Sequence, residues 1–129
     1  MKPLLLIIAL LFSTPAWADE NDLARDQLLK DADYFAECSG VFTIASGLNE
    51  SDSPASAKLQ SDQARGALAA SNYLAAKMGR KHFRTRTDAI TETTITKWAS
   101  TAELTPETFM DEFLPVMKAC YENWRNAGA

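Results

Sequence analysis

Apolar and small residues recur at Leu28, Ala32, Phe35, Ser39 and Phe42, three and four positions apart, so they share one stripe of a 3.6-residue helix. The spacing predicts a long amphipathic helix from Asp22 to Leu48, ended by Gly47, Asn49 and the polar run Glu50-Ser51-Asp52. Cys38 lies beside that stripe. Gly40 costs about 1 kcal/mol relative to alanine in a helix interior, and with Ser39 it forms a small-residue patch where another backbone can approach closely.

A second helix opens with Ser53 as N-cap and Pro54 at the first helical position, where a missing N–H does no harm. It is expected to run from Ala55 to Met78, with Leu59, Ala67, Leu74 and Met78 as its apolar positions and Gly79 as its stop. Gly66, Ala67, Ala69, Ala70, Ala75 and Ala76 predict tight packing against a neighbouring helix. The next stretch is ambiguous: the eight threonines from Thr85 to Thr105 favour a strand. A lone strand, however, has no partner for its backbone groups, and Ile90, Thr94 and Trp98 keep helical spacing. A third helix, Arg84 to Ala102, is therefore expected. The fourth begins with Thr105 as N-cap, Pro106 and Glu107, and its stripe of Phe109, Phe113, Met117, Cys120 and Trp124 is the strongest periodic signal in the chain. Pro115 interrupts it in phase, which predicts a kink rather than an end.

Four helices joined by short loops define an all-α fold, a small antiparallel four-helix bundle of up-down order. That order makes the first and last helices neighbours and places Cys38 beside Cys120. They are the only two cysteines, so one disulfide is predicted to staple the bundle. The aromatics Phe35, Phe42, Trp98, Phe109, Phe113 and Trp124 fall on the stripes and belong to the core, whereas Tyr34, Tyr73 and Tyr121 fall off them and mark a possible binding face.

Ahead of these helices stand Met1-Lys2, the apolar run Leu4 to Phe12, and Ala16-Trp17-Ala18. A charged start, a short apolar stretch and an Ala-x-Ala site make a secretory signal peptide, residues 1–18, cut after Ala18. The remaining 19–129 form one helical domain, placed in the periplasm or secreted, where a disulfide persists. Without Lys2 the 13 basic side chains become 12 against 17 acidic ones, a net charge of −5, which argues against nucleic-acid binding.

The basic segment Lys77 to Arg86 is the one distinctive surface feature. Lys77, Arg80, Lys81, His82, Arg84 and Arg86 are candidates for binding an anionic envelope component or an acidic protein; the plainer reading is a solvated helix end whose cations suit the helix dipole. Up-down order also brings this segment to the end of the bundle where the first helix starts, within reach of Asp19, Glu20, Asp22 and Asp26, which could neutralise it. A single histidine with no Glu-x-x-His or Cys-x-x-Cys builds no metal site, and Gly-x-Ser-x-Gly and phosphate-cradling glycine loops are missing. These gaps point away from an enzyme and from any cofactor. The expected role is a non-enzymatic exported protein that binds a macromolecular partner, such as an inhibitor, an immunity protein or an envelope accessory factor. The alternative is a carrier of a small apolar ligand between the helices, or of haem held by His82 and one of Met78, Met110 or Met117.

Overall fold

The described residues form four α-helices and no strand: α1 (Lys2–Asn49), α2 (Pro54–Lys77), α3 (Phe83–Leu104) and α4 (Pro106–Asn126). A computed structural model describes the backbone of residues 2–127 and the side chains of 22–127. The side chains of the expected signal peptide, and of Asp19 and Glu20, lie outside that range. Helices α2, α3 and α4 start and stop within a few residues of the predicted positions, the threonine-rich stretch is helical, and Ser53 and Thr105 stand at the N-cap positions without a side-chain cap hydrogen bond. The departure is α1, which enters from Lys2 rather than beginning at Asp22. The expected start rested on a cleavage site and an acidic run, neither of which holds a proline or glycine, and α1 runs through Pro15 just upstream of them.

Cross-helix contacts fix the topology. The Ser39 hydroxyl donates to the Ala64 carbonyl at 2.8 Å and Ser46 donates to Ala57 at 2.8 Å, so α1 and α2 run antiparallel. Thr91 of α3 donates to the Ala36 carbonyl at 2.9 Å, while Thr94 lies against Gly40, so α3 runs parallel to α1. On α4, Cys120 is bonded to Cys38 with Cα atoms 5.5 Å apart, and Asn123 donates to the Tyr34 hydroxyl at 2.9 Å. That register is antiparallel to α1. The up-down bundle and its disulfide staple are therefore both present.

The core has two halves of different chemistry. Between α1 and α2 the buried residues are small: Ala32, Ala36, Ser39 and Ala45 meet Ala57, Ala64, Ala67, Ser71 and Ala75. Such side chains bring the helix axes close enough for serine hydroxyls to reach carbonyls on the neighbouring helix, which keeps the buried hydroxyls paired. The expected stripe of α2 needs one correction, because Leu59 is 57% exposed. It stands two residues beyond Ala57, which turns it away from the alanine face. The other half, among α1, α3 and α4, is aromatic. Trp98 packs edge-on against Phe109 and Phe113 with ring centres 6.2 and 5.2 Å away, and Phe42 and the disulfide close the cluster. Trp124 reaches back across α4 to stand edge-on to Phe35 and to cover Gly66 of α2.

Candidate functional site

The basic corner is built by a local motif. At the end of α2, the Arg80 N–H donates to the Ala75 carbonyl and the Gly79 N–H to Ala76, both at 3.0 Å, with Gly79 at φ +75°. This is a Schellman cap, and its left-handed residue is the position that glycine fills without strain. The chain then turns through His82, also left-handed at φ 54°, into α3. The turn aims Arg80 inward. Its guanidinium donates to both carboxylate oxygens of Asp33 at 2.5 and 3.4 Å, while Arg86 donates to the same two oxygens at 3.2 and 2.9 Å. Arg25 ties the turn down from α1 by donating to the Met78 carbonyl at 3.2 Å. Burial pushes the Asp33 carboxyl up, but the hydrogen bonds and charges of Arg86 and Arg80 outweigh that and hold it below the usual aspartate value.

This geometry changes the reading of the six candidate cations. Arg80 and Arg86 are engaged by Asp33, whereas Lys77, Lys81, His82 and Arg84 are exposed. Lys77 lies over the Tyr73 ring and Arg84 over Phe83, each 5.8 Å from the ring centre. Of the acids that could neutralise the corner, the two whose side chains are described do not do so: Asp22 and Asp26 are exposed and make no ion pair among the described residues. The reason is register. The turn after α2 meets α1 at Arg25 and Asp33, and both arginines take Asp33, which lies about two turns beyond Asp26 and three beyond Asp22.

A second surface stands on α4. Met110 is 44% exposed, Leu114 45% and Tyr121 43%, and Met117, which packs against the core as its place on the core stripe predicts, also reaches this line from its half-buried position. With Asp111, Pro115 and Lys118 they enclose one shallow apolar depression. On an ideal helix these four apolar side chains lie within an arc of about 60°, next to the core-facing arc of Phe113, Cys120 and Trp124. Tyr121 stood out in the sequence as off the core stripe. Met110 and Leu114 did not, although the spacing 110, 114, 117, 121 is itself helical and signals a second apolar stripe. A third feature is a hollow of about 370 Å³ beside the disulfide, lined by Tyr34, Val41, Thr93, Trp98, Val116 and Cys120, with Glu37 and Lys97 also at its wall.

Among the described residues no group of three or more His, Cys, Asp or Glu is placed to hold a metal ion, and no helix is long and apolar enough to cross a membrane. None of the family models, curated proteins or solved structures compared with the chain matches it.

Proposed function

We propose that this is a non-enzymatic exported protein that acts by binding a macromolecular partner, and that the outer face of α4 is its docking surface. The observation that carries this reading is the line Met110, Leu114, Met117 and Tyr121, three of them more than 40% exposed on a helix whose other face is anchored by the disulfide. Contiguous exposed apolar side chains are uncommon on a protein that works alone, and Met and Tyr are enriched where proteins meet. Export rests on the signal-peptide pattern of residues 1–18, and a disulfide between Cys38 and Cys120 fits an oxidising compartment, the periplasm or the exterior. An inhibitor, an immunity protein or an envelope accessory factor would all use such a face.

The experiment is capture from an envelope extract by the tagged chain, read by native mass spectrometry, with Leu114→Glu in parallel. Leu114 is exposed, so a charge there leaves the core intact and circular dichroism stays unchanged. The expected result is a stoichiometric partner that Leu114→Glu releases and that Lys81→Glu with Arg84→Glu retains. Retention by Leu114→Glu, or loss only on reversing the corner, moves the docking surface away from α4.

The hollow beside the disulfide favours the second reading, a small-ligand carrier, because about 370 Å³ falls at the lower end of the range of small-molecule sites. Neither His82 nor a methionine lines it, so the haem version finds no axial pair there. A small adduct mass on the purified chain, removed by organic extraction, is the result that would establish this reading over the first.

A further inference from the structure

Along one edge of the apolar line on α4 stand four charges, Glu107, Asp111, Lys118 and Arg125. All four are exposed, and none is in an ion pair among the described residues. On an ideal helix they occupy an arc of about 40° immediately beside Leu114. Their order is polar: the two acids flank the N-terminal half of the line and the two bases its C-terminal half. Glu122 lies further round the same side, at the outer margin of that edge.

That arrangement is complementary to itself once reversed. With a second α4 laid antiparallel on the first, Met110 falls opposite Tyr121 and Leu114 opposite Met117. In the same register Asp111 falls opposite Lys118, and Glu107 opposite Arg125. All four pairings are centred within one residue of Pro115, so a single two-fold axis serves the apolar and the charged pairs together. A two-fold interface requires this property, because the same patch must fit its own copy. A parallel arrangement instead puts the two charged edges on opposite sides of the seam, where neither meets a counterpart.

We infer that the partner docked on the outer face of α4 is a second copy of this chain, paired antiparallel through Met110, Leu114, Met117 and Tyr121, with register set by Asp111–Lys118 and Glu107–Arg125. The inference rests on the reading of that face as the docking surface and names its occupant. Burying the line covers the exposed large apolar side chains of α4, Met110, Leu114 and Tyr121, and the flanking pairs select antiparallel over parallel contact. Charges at the margin of an interface act mainly on partner choice and orientation, the role this pattern gives them.

Sedimentation equilibrium and native mass spectrometry of the purified full-length protein over a dilution series test this directly. The expected result is a reversible dimer. Asp111→Lys alone, or Lys118→Glu alone, sets like charges opposite one another and weakens the dimer roughly tenfold or more. The double variant Asp111→Lys/Lys118→Glu restores it with the polarity reversed. Mixing the two single variants yields a heterodimer in preference to either homodimer. Leu114→Glu is monomeric.

A dimer that survives all of these changes pairs through another surface and overturns the inference. So does a chain that is monomeric throughout, and the capture experiment then separates the two readings. If Leu114→Glu still releases a different protein from the extract, the docking face stands and only its occupant was wrong. If Leu114→Glu changes nothing, both readings fall.

Discussion

Alanine at Gly40 is the substitution that most directly examines how the bundle is assembled. A Cβ there would lie 2.8 Å from Thr94 Cβ, 2.9 Å from Thr94 Cγ2 and 2.9 Å from the Thr91 carbonyl oxygen. Ordinary contact between such atoms starts near 3.5 Å, so α3 must retreat from α1 by roughly 0.7 Å. Neither neighbour can swing aside: one is backbone, and the Thr94 hydroxyl is held by the Ile90 carbonyl at 2.9 Å. The retreat also stretches the 2.9 Å bond from Thr91 to Ala36. Overpacking of this kind costs about 1–3 kcal/mol, against a gain of up to about 1 kcal/mol for replacing a mid-helix glycine with alanine. The expected net loss is about 1–2 kcal/mol, a fall in Tm of roughly 4–8 °C.

Gly47 supplies the control on the same helix, since a Cβ there meets nothing within 4 Å. Gly47→Ala should keep the propensity gain and raise Tm by a few degrees. Guanidinium unfolding followed by circular dichroism at equal m-value reads both. A Gly40→Ala protein as stable as its parent, or shifted upward like Gly47→Ala, would refute the close approach of α1 and α3.

Asp33 gives the bundle an acid-sensitive joint. A carboxyl held below its unfolded value stabilises the fold above that value, near 3.8, and loses the contribution as pH falls through the folded value. Asp33→Asn should cost about 1–3 kcal/mol at pH 7, the lower part of that range if the half-exposed Arg86 is screened by water. The gap between parent and variant should hold at neutral pH and narrow as pH falls below about 3.8, as denaturant midpoints across that range will show; a constant gap argues against the clamp. The disulfide closes a loop spanning 82 residues, for which the chain-entropy model gives about 4–5 kcal/mol. The paired substitution Cys38→Ser with Cys120→Ser should therefore lower Tm by more than about 10 °C, and mass spectrometry of the parent should show no alkylation until it is reduced.

Much of this architecture is written in local signals. Ser53-Pro54 and Thr105-Pro106 mark the starts of α2 and α4 because a missing N–H is tolerated only in a first helical turn. The 109-113-120-124 spacing puts Phe109, Phe113, Cys120 and Trp124 on one face wherever that helix packs, and two cysteines allow one pairing. Gly79 ends α2 by a backbone conformation that belongs to glycine. These are properties of a few adjacent residues or of a fixed period, and so they can be read without knowing any neighbour.

What depends on register is of another kind. Whether Arg80 and Arg86 meet Asp22, Asp26 or Asp33 turns on where α1 lies along α2, and that is set by Ala32, Ala36 and Ser39 interlocking with Ala64, Ala67 and Ser71. Gly66 carries no sign that Trp124, far away in the chain, will lie upon it. The apolar line on α4 is visible as spacing, but α4 presents two such lines, at 109-113-120-124 and 110-114-117-121. Periodicity treats both as candidates for the core. Only the packed bundle, with Trp98 filling the space over Phe109 and Phe113 and the disulfide holding α4 in that rotation, leaves Met110, Leu114 and Tyr121 facing outward and Met117 half-buried between the two lines. A helix's period records which residues share a face; which face is buried is decided by the volumes of the neighbours that close around it.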